Sequence, residues 1–183
     1  GLFLSASSLY TASMHELWQR WQFYLEEALA GGVVDAAVPA GLVLYERIRK
    51  GHRKEDDMKV VAAYFSAGVR QGSADAMCQL AAMYGEGRGV ALSRTRAAAL
   101  YSRAADLDNP LAHYYIGLML WEGDGIEENR RQARLHLRRA AELGCVQAWE
   151  WMQEHSSDAE LEVFGRHLGV SKERSDGGEH RGE

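Results

Sequence analysis

Three glycines at alternate positions, Gly85, Gly87 and Gly89, sit beside Arg88 in the stretch MYGEGRGV. A glycine-rich loop that opens a helix is an anion site, because its backbone N–H groups converge and the helix dipole favours negative charge. The chemistry such a loop would do is phosphate binding. A P-loop, however, needs GxxxxGK followed by Ser or Thr, and a dinucleotide fingerprint needs GxGxxG after a strand. Here the glycines run into Val90 behind a helical pattern, with no strand-like run before them. The stretch therefore reads as a turn.

The other reactive side chains form no constellation. The seven histidines are scattered and no HExxH occurs, so His113 and His136 read as surface or packing residues. Cys78 and Cys145 have no CxxC spacing for zinc and are too few for a disulfide framework, which makes them free thiols. Glu86, Glu122, Asp124, Glu127 and Glu128 fall at loop positions where solvation explains them. No catalytic, cofactor or metal set emerges, and the expectation is a protein that is not an enzyme and carries no cofactor. The best electrostatic candidate is Arg130, Arg134 and Arg138, an i, i+4, i+8 stripe on one helix face that can meet phosphates or an acidic partner. Glu127, Glu128 and Glu142 relieve that charge and no aromatics are interleaved with it, which favours a solvated outer face.

Composition sets the frame for these residues. The 183 residues are 46% hydrophobic and 26% charged, ordinary for a globular domain with a real core, and two prolines with few β-branched runs favour helices. A net charge of -5 gives no global attraction to nucleic acid or anionic lipid. Nucleic acid is not an expected partner. No apolar run approaches the roughly 20 residues that span a bilayer. The chain opens on Gly1 and not on methionine, as expected of a fragment or processed product, and its compartment and oligomeric state stay open.

The elements that position everything else repeat. At an offset of 36 residues Gly87 falls on Gly123, Gly89 on Gly125 and Val90 on Ile126. The same offset aligns Ala40, Ala76, Ala112 and Ala148; Leu44, Leu80, Ile116 and Met152; and Phe65, Tyr101 and Leu137. Punctuation repeats with the core. Asp57, Ser93 and Asn129 share an N-cap column, and Gly72, Asp108 and Gly144 share a column where a left-handed residue closes a helix. Asn109-Pro110 restarts the chain as cap and first helical residue.

Each unit is therefore two helices, A and B. The spacing predicts A helices over about 39–49, 74–86 and 110–122, B helices over about 57–71, 93–107 and 129–143, and a further A helix from Val146 to His155. The fold class is all-α, a right-handed α-solenoid of antiparallel helix pairs with a 36-residue period. Its units run 37–72 (degenerate), 73–108 and 109–144, with a partial one at 145–155. Residues 1–36 carry a B-type capping helix from Met14 to Ala30. A capping box at Ser157 to Glu160 opens a C-terminal capping helix within 156–168, and 169–183 is a polar, disordered tail.

The residues from Ala76 to Val90 spell A-x-x-x-L-A-x-M-Y-x-x-G-x-G-V, followed by A-x-x-x-Y-x-x-A-A from Ala97 to Ala105. They recur as A-x-x-x-I-G-x-M-L-x-x-G-x-G-I from Ala112 to Ile126, then A-x-x-x-L-x-x-A-A-E-L-G to Gly144. This pattern resembles the Sel1-like repeat, a tetratricopeptide-like family with a longer unit. The unit near Ala37 departs from it, with Arg53 in place of the second loop glycine. The resemblance implies an adaptor or scaffold that binds a protein or peptide on the concave face lined by A helices. The positions after each anchor alanine vary, so Met77, His113, Tyr114 and Trp149 are the expected contacts, with Trp121 near the same side. A cysteine-rich branch of the family implies β-lactam binding or hydrolysis as an alternative, but it pairs cysteines within a repeat, whereas Cys78 and Cys145 lie in different columns. A further alternative is an acidic partner or nucleic acid on the Arg130 to Arg138 stripe.

Overall fold

A computed structural model describes residues 37–51 and 57–157 of the chain. The expected helix from Met14 to Ala30, the capping helix to 168 and the tail from 169 lie outside the described residues. Those residues form seven helices and no strand: α1 (Ala37–Arg49), α2 (Asp57–Arg70), α3 (Ala74–Glu86), α4 (Arg94–Ala105), α5 (Pro110–Glu122), α6 (Arg130–Glu142) and α7 (Val146–His155). The A helices are α1, α3, α5 and α7, and the B helices α2, α4 and α6. Each packs chiefly on its neighbours in sequence, the pattern of a solenoid and not of a closed bundle.

The caps explain where the helices begin. Ser73, Ser93, Asn109 and Asn129 each accept a bond from the amide three residues on, into Ala76, Arg96, Ala112 and Gln132 respectively. Asp57 is the first residue of α2. Asn109 also ties units together. Its Nδ2 donates to Asp75 Oδ1 at 2.8 Å, and Cys78 Sγ donates to its Oδ1 at 3.4 Å. The chain turns back from B to A through Gly72, Asp108 and Gly144, all at positive φ, with Asp108 the one non-glycine so placed among the described residues.

The A-to-B loops are copies of each other. Arg88 N donates to Met83 O and Asp124 N to Met119 O; Ser93 N donates to Tyr84 O and Asn129 N to Leu120 O. Gly87 and Gly123 take the left-handed conformation that closes each A helix. Gly89 and Gly125 have a second duty. A Cβ on Gly89 would run into the Met58 carbonyl, and one on Gly125 into the backbone of Arg94. Met58 and Arg94 stand one repeat apart, each in the first turn of the preceding B helix. The second loop glycine thus lets one unit seat on the unit before it.

Buried apolar residues occur in every described unit, in a large cluster from Ala40 to Ala133 and a smaller one from Ala140 to Met152. The anchor alanines Ala40, Ala76, Ala112 and Ala148 are all 0% exposed, and Phe65, Tyr101 and Leu137 fill the B-helix column beside the tightly packed Ala104 and Ala140. Small residues let backbones approach, and Gly117 leaves room for the Leu137 side chain.

Candidate functional site

The residues expected to meet a partner separate on folding. Met77 is 3% exposed and His113 is 8% exposed, so both belong to the packed interior and not to an open face. Tyr114, Trp121 and Trp149 are half-buried. An A helix in a stack has its own B helix, the preceding unit and the following unit to pack against, and positions one and two after the anchor alanine point into those contacts. Met77 is covered for that reason. Trp149 and Glu150, in the last described helix, occupy the same columns with no following unit among the described residues.

The side left open lies one residue further round. On α5 it is the i, i+4, i+7, i+11 stripe Leu111, Tyr115, Leu118 and Glu122, where Leu111 is 41% and Tyr115 42% exposed. The same columns hold Asp75, Gln79 and Glu86 on α3 and Gln147, Trp151 and Glu154 on α7. Tyr115 is braced from below. Its ring stacks on buried Tyr101 at 5.0 Å between centroids, and Tyr114 meets it edge-on at 5.2 Å. Burial first, then the neighbouring Tyr115, Cys145, Glu150 and Glu154, push the Tyr114 hydroxyl above its ordinary pKa.

From α3 onward charge divides by helix type, a signal carried by the sequence itself. α3, α5 and α7 carry Asp75, Glu86, Glu122, Glu150 and Glu154 and neither Lys nor Arg. α4 and α6 are arginine-rich, with Glu142 their one acid. From α3 to α7 alternate helices therefore carry opposite signs, whereas α1 carries Arg47 and Arg49 beside Glu46, and α2 carries Lys59 and Arg70 beside Asp57.

The arginine stripe has aromatic company after all. The guanidinium of Arg130 lies 5.0 Å and that of Arg134 5.9 Å from the Trp121 ring centroid. Trp121 in turn meets Trp151 edge-on at 4.9 Å, and Trp151 stacks on His155 at 4.1 Å. Trp121 stands where the preceding unit has Gly85, so this cluster is a feature of one unit alone. Arg130 pairs with Glu128 at 2.8 Å and Arg138 with Glu142 at 3.1 Å.

His113 and His136, each a surface or packing residue by sequence, bring their Nδ1 atoms 2.9 Å apart across α5 and α6. Asp108 Oδ1 lies 3.6 Å from His113 Nε2, beyond hydrogen-bond length, and accepts two bonds from Arg139. Among the described residues no three His, Cys, Asp or Glu side chains converge as metal ligands. Cys78 and Cys145 are free and buried. Burial first, then Asp75, push the Cys78 thiol up to about 12, which leaves it a thiol and not a nucleophilic thiolate near neutrality.

Stacked helix pairs joined by a repeated loop define an α-solenoid. The particular repeat is Sel1: residues 74–109 and 110–145 each match the Sel1 repeat, so the chain carries two in tandem. A Sel1 repeat protein from Oxalobacter formigenes is 25% identical, with 74% of this chain and 98% of that one covered at a TM-score of 0.61. The protective antigen c5321 of uropathogenic Escherichia coli, described as displaying an SLR fold, is 22% identical at a TM-score of 0.66. There the match covers 81% of this chain and 33% of that one. Helicobacter pylori cysteine rich protein B is 19% identical at a TM-score of 0.55, covering 74% and 93% of the two chains. No relative among curated proteins matches the sequence. Sel1-repeat proteins are typically protein-interaction scaffolds, and no described helix is long and apolar enough to cross a membrane.

Proposed function

We propose that the protein is a scaffold that binds a protein or peptide along the open side of its A helices, the side expected to be concave. The observation that carries this reading is the adjacent pair Leu111 and Tyr115, two large apolar residues of α5 that stay exposed although Tyr101 of α4 supports the Tyr115 ring. Scattered single apolar residues on a surface need no explanation, but a contiguous stripe with a rigid aromatic at its centre suits a partner. A tyrosine held by Tyr101 and Tyr114 loses little entropy when a partner closes over it. Tyr114 and Trp149 form the border of the proposed face. Met77 and His113 support it from within, and Trp121 is engaged by Arg130, Arg134 and Trp151.

The test is a paired capture from the native host with wild type, Leu111→Ser/Tyr115→Ser and the control Arg131→Ala, each shown helical by circular dichroism. Proteins retained by wild type and the control but lost from the double variant support the reading. Recovery that is identical for all three sinks it.

A second reading keeps the arginine stripe, because Arg130 and Arg134 over Trp121 form the mixed basic and aromatic surface that acidic ligands use. It predicts binding that weakens steeply with salt and is lost on Arg134→Ala. The β-lactam alternative rests on cysteines paired within a repeat. With Cys78 and Cys145 both free, it has no support here.

A further inference from the structure

We infer that the segment received by the open side of α3, α5 and α7 is cationic, with lysine or arginine interspersed among apolar residues. The inference rests on the proposed binding face and adds the chemistry of what binds there.

The geometry is an apolar centre with a carboxylate rim. Leu111, Tyr115 and Leu118 run along α5, and Glu122 continues the same stripe. Glu154 on α7 occupies the column of Leu118. Glu122, Glu150 and Glu154 are exposed and form no ion pair among the described residues. By contrast Asp75 is engaged by Asn109, and Glu86 by Arg88.

The distribution of basic residues sharpens the case. With neither Lys nor Arg on α3, α5 or α7, nothing on these helices neutralises the rim. Several B-helix arginines are already answered: Arg94 by Asp124, Arg138 by Glu142, and Arg139 by Asp108. A partner seated on α3, α5 and α7 therefore meets carboxylates that no Lys or Arg of those helices neutralises, beside an apolar strip. Complementary charge speeds encounter and excludes partners of the wrong sign, while the apolar strip holds what arrives. An acidic segment on the same strip would face like charges at the rim and leave them unpaired.

The experiment uses the full chain and three labelled synthetic peptides with the same leucine and phenylalanine positions, separated by lysine, glutamine or glutamate. Fluorescence anisotropy is expected to rank them lysine, glutamine, glutamate, with about tenfold between the extremes at low salt and less at high salt. Tyr115→Ser should weaken all three. Glu122→Gln/Glu154→Gln should weaken the lysine peptide alone, and Glu127→Gln/Glu128→Gln should leave it unchanged. Equal affinities that are still lost on Tyr115→Ser overturn the cationic preference and leave the proposed binding face standing. Lysine-peptide binding that ignores Glu122→Gln/Glu154→Gln, or no binding by any peptide, overturns the inference, and the capture experiment then decides the face separately.

Discussion

His113 on α5 and His136 on α6 face each other through their Nδ1 atoms at 2.9 Å, so a neutral imidazole pair clasps the two helices of one repeat. Such a bond needs one Nδ1 to carry a proton and the other to be bare. Burial is the main force holding both rings below the ordinary histidine pKa. Asp108 and Asp106 oppose that shift at His113, where Arg139 adds to it. Asp106 opposes it at His136, where His113 adds to it.

The sign of the pH dependence follows. In the unfolded chain each imidazole titrates near about 6.5, and in the folded chain lower, so between the two values the unfolded state binds more protons. The contribution of the clasp is complete above about 6.5 and is lost as the pH falls from there toward the folded values. Asp108, whose carboxyl Arg139 holds below the usual range, acts only in a more acidic window. Urea midpoints should fall between neutral and mildly acidic pH, and His136→Leu should flatten that slope. A wild-type midpoint constant over this range contradicts the buried pair.

Glycine in the loop column is a packing requirement, and two substitutions separate it from backbone strain. Gly144 has positive φ and no neighbour for an added Cβ within 4 Å, so Gly144→Ala should cost about 1 kcal/mol in left-handed strain. Gly125 has positive φ and the backbone of Arg94 where the Cβ would go, so Gly125→Ala should cost clearly more. Denaturant unfolding of the two variants decides it, and equal losses would remove the seating role of the loop.

The cap column contains an opportunity at the last A helix. Ser73 and Asn109 cap α3 and α5, but Cys145 in the same column makes no side-chain bond to the α7 amides. Cys145→Ser should stabilise the fold by about 0.5 to 1 kcal/mol, and Asn109→Ala should cost about 1 to 2 kcal/mol because it removes a cap and the links to Asp75 and Cys78. Thermal unfolding of both variants tests the pair.

Thiol chemistry gives an independent reading of burial. Cys78, with its pKa pushed up to about 12, should react slowly with a disulfide reagent in the native state and rapidly once unfolded. Prompt native reactivity of Cys78 would mean that α3 and α5 do not pack as described.

Much of the fold is legible because each unit repeats its punctuation as well as its core. Ser93 and Asn129 cap as their spacing requires, and Asp108 takes the left-handed conformation of Gly72 and Gly144, an assignment no residue preference alone would make. The exposed side was harder to read. One residue turns about 100° around a helix, so the step from the His113 and Tyr114 columns to that of Tyr115 separates interior from surface. An anchor alanine marks the core direction but not how many neighbours cover the remaining sides. The contact of Trp121 with Arg130 and Arg134 was also hidden, since it joins the end of one helix to the start of the next across a loop.

The central claim is that partners bind on the A helices and not at the glycine loops or the arginine stripe. Backbone amide shift mapping on addition of the lysine-bearing peptide tests it most directly. The account predicts perturbations at Gln79, Leu111, Tyr115, Leu118 and Trp151 on α3, α5 and α7. Perturbations confined to Gly87 to Val90, or to Arg130 to Arg138 on α6, would contradict it.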